Sequence, residues 1–405
     1  MFPIKKTLMV CIVIVLTIAS LATTALANEV FQTKPYLVDD KAISVVPIET
    51  MRNKITLFAK VNGTSFRFIL DTGSPTVLSQ HVASALKLAP KGQNIGQDAH
   101  GNQVKMDLSI LDSLLIGKSE FRNIPIFIHD FSKLPLGRCV IDGGVIGSEI
   151  MPLTQWQINF EDNQLILGGR LDDYKFIKGA KRASMQTYNY PFTPIVEHKI
   201  NDELKDNAIF DTGNTELLHL NIKAFDELKK RGALNLGSIK NAHGTFGESA
   251  GGRGNDTDFQ QVALDSLSIG ELEFSNLSVW SRPQVPTLIG AKVFESQIVT
   301  LDYKNNRIHF YPYQDAQSED SSFGFRGYFD DDSLKIGFLT DNSVASNSGL
   351  ELHAQILKIN DISFESINES NQCQRFEQFS QLMHGAEISL MFKKGDETHT
   401  VSLKQ

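Results

Sequence analysis

Phe68-Ile69-Leu70-Asp71-Thr72-Gly73-Ser74 and Ala208-Ile209-Phe210-Asp211-Thr212-Gly213-Asn214 are two versions of one stretch, an apolar strand running into Asp-Thr-Gly. The correspondence continues downstream in the same order. Ala99-His100-Gly101 answers Ala242-His243-Gly244, and Asp112-Ser113-Leu114-Leu115-Ile116-Gly117 answers Asp265-Ser266-Leu267-Ser268-Ile269-Gly270. Both continue into Glu-Phe-x-Asn, at Glu120 to Asn123 and Glu273 to Asn276. Each copy then reaches an apolar pair and a glycine, Val145-Ile146-Gly147 and Leu288-Ile289-Gly290. Alternating strand pairs close the copies at 156–167 and 298–311, with turns at Glu161-Asp162-Asn163 and Lys304-Asn305-Asn306. The period is too long for a solenoid unit and reads as two homologous lobes. Strands dominate. Segments 55–61 and 64–70 flank Asn62-Gly63, a strong hairpin signal. Helices are predicted at 79–86 and 222–231, the second with Ile222, Phe225 and Leu228 at helical spacing.

Two acids on matching loops suit one kind of chemistry. A peptide carbonyl is a weak electrophile and its amine a poor leaving group. An ionised carboxylate can take a proton from an attacking water, while a protonated one donates to the carbonyl oxygen and a proton later reaches the nitrogen. Gly73 and Gly213 permit a tight turn and close approach of the loops. Thr72 and Thr212 can hydrogen-bond across to the opposite loop and hold both acids in plane. Ser74 can bond its neighbouring Asp, and Asn214 offers an amide in the matching place. A single Asp-Thr-Gly is as readily a plain turn; the repeated constellation carries the signal.

Over residues 45–313 the pattern resembles the aspartic peptidases, both the retroviral-type half and the pepsin-type double lobe. The resemblance implies a mainly β, bilobal pepsin-like/retropepsin-like acid protease fold with a pseudo-twofold axis. It places the catalytic dyad on Asp71 and Asp211 and the supporting threonines on Thr72 and Thr212. In that family the paired acids share one proton, since two adjacent carboxylates cannot both ionise cheaply. Two departures stand out. Pro75 removes a backbone donor just after the first loop, and Asn214 stands where Ser, Thr or Ala is more usual. By position, the hairpins that would close over substrate are 94–106 and 240–254. Neither holds the tyrosine of pepsin-like flaps. Both hold His-Gly, so His100 and His243 are either substrate contacts or polar hairpin residues, with Gly101 and Gly244 making the turns. Gly251-Gly252-Arg253-Gly254 suggests a mobile loop.

Segment 314–322 is polar and acidic and reads as a linker. Residues 323–405 resemble a small α+β PDZ domain. Phe323-Gly324-Phe325 resembles the loop whose amides bind a peptide C-terminal carboxylate, and Asn342-Ser343-Val344-Ala345-Ser346-Asn347-Ser348-Gly349-Leu350 and Ile356-Leu357-Lys358-Ile359-Asn360-Asp361 resemble elements beyond it. Strands are predicted at 334–339, 355–359, 388–392 and 399–403, and a helix at 373–383 with Phe376, Phe379 and Met383 on one face. Leu352-His353-Ala354 stands where a Gly-Asp is usual. Such a domain binds peptides by adding a strand to a sheet edge; the alternative is an appendage that packs on the peptidase.

Composition is that of a folded protein. The chain has 405 residues, 41% hydrophobic and 21% charged, with a formal net charge of -8. No Lys/Arg stripe and only 2 Trp argue against nucleic acid as a partner. Lys5 and Lys6, an apolar stretch at 8–21 and Ala25-Leu26-Ala27 form a secretory signal (1–27) cleaved after Ala27, in preference to a retained anchor. No membrane span is predicted after it. Cys11 lies inside the signal. Cys139 and Cys373, far apart in sequence, are expected to be unpaired buried thiols, and no Cys or His pair has metal-ligand spacing. The division is therefore signal (1–27), first lobe (45–180), second lobe (181–313), linker (314–322) and PDZ-like domain (323–405). No metal or organic cofactor is implied. The reading is an exported, periplasmic or secreted, monomeric aspartic endopeptidase acting on peptides or unfolded protein, with a peptide C-terminus as a ligand for the last domain. The alternative is an inactive peptide-binding module of the same fold. A serine peptidase fused to a PDZ domain ranks lower.

Overall fold

A computed structural model describes residues 29–51, 54–134, 137–284, 286–315, 322–330 and 332–405. The signal segment and most of the linker lie outside them. Among the described residues no helix is long and apolar enough to cross a membrane.

The molecule is mainly β. Lys54–Val61 and Thr64–Leu70 form a hairpin around Asn62 and Gly63, whose φ values of 48° and 84° suit the primed turns that match strand twist. Thr64–Leu70 then runs parallel to Gly144–Ile146. After the Asp-Thr-Gly loop, Val77–Ser79 lies antiparallel to that same short strand and parallel to Ser119–His129. The second copy repeats each pairing. Leu204–Asp211 is parallel to Thr287–Gly290, and Leu218–Asn221 is antiparallel to it and parallel to Leu272–Arg282. In both copies the central strand is thus buried between two neighbours, which is why Val145-Ile146 and Leu288-Ile289 read as continuous apolar pairs.

The copies are joined by an antiparallel sheet in the order Ile43–Met51, Gln164–Gly168, Trp156–Asn159, Gln297–Asp302, Arg307–Pro312, Lys181–Thr187. Its central register sets Gln157 opposite Thr300, one strand from each copy. One apolar core runs through both, including Phe68, Trp156, Phe210, Phe294 and Phe310.

A second core, including Phe323, Phe325, Ile356, Phe379 and Leu403, belongs to the C-terminal residues. Strands Ser333–Thr340, Gln355–Ile359, Glu387–Lys394 and Glu397–Lys404 and helix Gln372–Leu382 surround it. The sequence reading omits the two-residue strand Ile362–Ser363 and the longer strand Phe325–Asp330, whose alternation Arg326 and Gly327 interrupt. Gly327 is there so that Phe379 of the helix can approach: a Cβ at Gly327 would lie 2.7 Å from the Phe379 ring.

This C-terminal unit is not tethered loosely. Ser333–Thr340 pairs with Lys240–Gly244 and extends the sheet of the second copy. Gly244, at φ 121°, lets the strands close, since a Cβ would meet the Gly337 carbonyl at 2.1 Å. Phe338 enters a cluster with Ala242, Phe259 and Trp280. Cys139 and Cys373 are joined in a disulfide with Cα atoms 5.4 Å apart. The expectation of two free thiols is therefore corrected. Their separation of 234 residues hid a contact made when helix Gln372–Leu382 docks on the short helix Gly137–Val140 of the first copy.

Candidate active site

The two Asp-Thr-Gly loops meet through their threonines. Thr72 N–H donates to Thr212 Oγ1 at 2.9 Å, and Thr212 N–H donates to Thr72 Oγ1 at 2.9 Å. Each hydroxyl also donates onward across the pair, Thr72 to the Phe210 carbonyl at 2.5 Å and Thr212 to the Leu70 carbonyl at 2.9 Å. Both threonines are fully buried. The glycines make room for the acids. A Cβ at Gly73 would lie 2.5 Å from Asp211 Oδ1, and one at Gly213 would lie 2.4 Å from Asp71 Oδ2. Each glycine N–H donates to Oδ1 of its own Asp at 2.8 Å. The second glycine of each copy lies under its loop. A Cβ at Gly147 would strike the Pro75 backbone at 2.1 Å, and one at Gly290 the Glu216 carbonyl at 2.2 Å.

Asp71 and Asp211 are thereby brought together, close enough for their carboxyls to hydrogen-bond. Both residues are partly exposed on their open side. Even so, the protein around the Asp211 carboxyl pushes it up to about 7, first by burial and then by the charge of Asp71. Two influences oppose the rise, the Lys54 ammonium and the Gly213 N–H. Lys54 donates to the Gly213 carbonyl, so a cation stands at the edge of the pair. Nothing in the sequence repeat points to Lys54, which has no counterpart in the second copy.

Ser74 and Asn214 do not act as the sequence suggested. The Ser74 hydroxyl donates to the Pro75 carbonyl at 3.1 Å. The Asn214 carbonyl oxygen accepts from Glu216 N–H at 3.5 Å, and its amide nitrogen is buried without a partner.

The histidine positions diverge. His100 and Gly101 lie at the tip of the hairpin made by Gly92–Gln97 and Gln103–Ile116. Gly101, at φ 83°, closes the turn, and Asp98 organises it by accepting from the N–H groups of His100 and Asn102, each at 2.9 Å. The second copy grips this tip. Arg282 Nη2 donates to the Ala99 carbonyl at 2.8 Å, Gln284 to the His100 carbonyl at 3.1 Å, and Gly251 N–H to Asp98 at 2.8 Å. His243 is exposed, 2.7 Å from Asp258 and 3.5 Å from Asp341, and the bond to Asp258 holds its pKa up. It belongs to the seam with the C-terminal unit and not to the space around the acids.

In that unit the Phe323 and Phe325 side chains are core residues. Gly324, at φ 86°, packs against Ser343, which a Cβ would strike at 2.1 Å. Among the described residues, strand Phe325–Asp330 pairs on one side only, with Ser333–Thr340. Arg326 at its start reaches Glu216 at 2.9 Å, so the unit touches the segment that follows the second Asp-Thr-Gly.

Residues 58–150 match the family model described as "Aspartyl protease". No curated protein matches the chain. Among solved structures, the chain is similar to an aspartic proteinase from Irpex lacteus, with 13% identity, 67% of this chain and 98% of that chain covered, and a TM-score of 0.40.

Proposed function

We propose that the protein is an exported aspartic endopeptidase whose two lobes, 45–180 and 181–313, each supply one acid. The observation that carries the proposal is the convergence of Asp71 and Asp211 on crossed threonine bonds. In this reading the pair shares one proton, held by burial and by the repulsion of the two acids, and the protonated carboxyl donates to the substrate carbonyl oxygen. The other carboxyl, ionised, takes a proton from the attacking water. The tetrahedral intermediate collapses as a proton passes to the amide nitrogen, which leaves as the amine. The hairpin of Gly92–Gln97 and Gln103–Ile116 is the flap, and the crossing bonds from Arg282 and Gln284 hold it in a closed position.

The Cys139–Cys373 disulfide supports export, because such bonds persist outside the reducing cytosol. We assign residues 323–405 as a PDZ-like regulatory domain. Its free strand edge at Phe325–Asp330, beside helix Gln372–Leu382, is where a peptide would add as a strand.

Purified protein should cleave a denatured protein at peptide bonds, with products read by mass spectrometry across pH. Asp71→Asn and Asp211→Asn should each abolish cleavage while leaving the fold intact by circular dichroism. Equal cleavage by wild type and both variants would end the proposal. Peptide binding with no cleavage at any pH would point instead to a non-catalytic binding module.

A further inference from the structure

Between the hairpin tip and the second copy lies a cavity of about 190 Å³, lined in part by His100, His219, Phe246, Phe259, Arg282 and Gln284. The paired acids do not line it, but Lys54 acts on the charges of Asp211, His100 and His219 alike, and Arg282 on those of His100 and His219. Arg282 is 8% exposed and ends strand Leu272–Arg282. A guanidinium has five N–H donors. Here one of its nitrogens bonds the Ala99 carbonyl, and no described carboxylate lies within ion-pairing distance. Asp211 alone among the acids acts on its charge.

A buried cation without an acid partner is costly, and proteins rarely hold one without use. The neighbouring basic groups differ. Arg326, stacked on Phe246 at 4.8 Å, is neutralised by Glu216 at 2.9 Å. The His219 ring is partly exposed but its Nε2 is buried without a partner, and burial pushes it down to about 4. Burial also lowers His100. At neutral pH both imidazoles are uncharged, and Arg282 is the fixed charge of the cavity. Asp98, the acid nearest His100, is occupied by the N–H groups of His100, Asn102 and Gly251.

We propose that this cavity is a substrate subsite selecting an acidic side chain, Glu or Asp, whose carboxylate pairs with Arg282 while its methylenes lie against Phe246 and Phe259. The inference rests on the peptidase reading for its role in cleavage, but the binding preference stands apart from it. Asp211 acts on Arg282 from outside ion-pairing distance, so a bound acid would supply the missing contact, and a closed hairpin tip would desolvate the pair and strengthen it. A charge-assisted bond to a buried arginine discriminates more sharply than an apolar contact, because a neutral analogue leaves the guanidinium unpaired.

The test uses the full-length protein and a positional-scanning peptide library. Cleavage products should show one position enriched in Glu and Asp over Gln and Asn by about tenfold or more. Arg282→Gln should bring that ratio close to one, and Arg282→Lys should retain part of it. Absence of an acidic preference at every position, or its persistence in Arg282→Gln, overturns the proposal. Because Arg282 also holds the hairpin tip, paired Glu and Gln peptides on the unsubstituted protein decide the matter without relying on a variant. Fluorescence polarisation with the Asp71→Asn protein separates the two readings. If nothing is cleaved but the Glu peptide binds at least about tenfold tighter than its Gln twin, the peptidase reading falls and the subsite stands; equal affinities remove the subsite.

Discussion

Thr212→Val is the sharpest perturbation of the loop junction. Valine keeps the shape and removes only the hydroxyl. That hydroxyl donates to the Leu70 carbonyl and accepts from Thr72 N–H, both at 2.9 Å, in a site with no exposure. Two backbone groups of the other copy therefore lose their partners in a buried place. At about 1–3 kcal/mol per orphaned group, offset in part by burying a methyl, the expected loss is roughly 2–5 kcal/mol. Thr72→Val removes the reciprocal pair, the Phe210 carbonyl and Thr212 N–H, and should cost a similar amount. The double variant distinguishes a shared junction from two local effects. All four bonds tie the same two loops, so once the first pair is gone the loops part and the second pair is already weakened. The summed single losses should then exceed the double loss by roughly 1 kcal/mol or more. Urea unfolding monitored by Trp fluorescence measures each value. A displacement of about 1 Å between the acids should also lower kcat about a hundredfold. A Thr212→Val protein within about 0.5 kcal/mol of wild type and fully active would refute the reasoning.

Closing a loop of 234 residues constrains the unfolded chain by about 5 kcal/mol on chain-entropy grounds, so reduction, or Cys139→Ser with Cys373→Ser, should lower stability by roughly 2–5 kcal/mol; an unchanged melting temperature in dithiothreitol would contradict this. Lys54→Met removes a cation that holds Asp211 down. The alkaline limb of the kcat/KM profile should therefore move up by roughly one pH unit, and a stationary limb counts against Lys54 as the tuning charge. Glu149 is buried behind the first loop, accepts from Thr76 N–H at 2.8 Å, and is pushed up to about 7 by burial. The folded state then holds a proton that the unfolded state releases near 4.5, the ordinary glutamate value, so stability is greatest below that value and falls as pH rises towards 7. Wild type should lose about 3 kcal/mol relative to Glu149→Gln across that window; parallel stability curves would show that Glu149 is not the proton holder.

The strand order around the two Asp-Thr-Gly stretches is legible because each link is local: an apolar run, a turn residue, a glycine at fixed spacing. Asn62-Gly63 dictates a hairpin from two residues. Gly147 and Gly290 follow apolar pairs that only a strand buried on both faces would tolerate. What escapes the sequence is whatever depends on distant segments meeting. Cys139 and Cys373 carry no spacing signal, since their proximity arises only when the C-terminal helix docks on the first copy. Glu149 looks like a surface acid, and only the loop packed above it shows it to be buried. Phe325–Asp330 is missed because its glycine serves a helix that arrives some fifty residues later.

Lys54 and Arg282 belong to the same class, and their position has a consequence. Nine residues beyond Glu120 stands His129, and nine beyond Glu273 stands Arg282. The two occupy matching register, Ser79 opposite His129 and Asn221 opposite Arg282. Lys54 opens its strand where the second copy opens with Pro194. Duplicated residues build a symmetric frame: paired threonines, paired glycines, paired acids. A symmetric frame alone would leave the shared proton equally at home on either carboxyl and both ends of a substrate equally recognised. The unpaired cations break that symmetry. Lys54 reaches from the first copy to the Gly213 carbonyl beside Asp211, and Arg282 stands in the second copy under the first copy's hairpin. A repeat comparison keeps what matches and discards these residues, so the search that finds the acids passes over the groups that tell them apart.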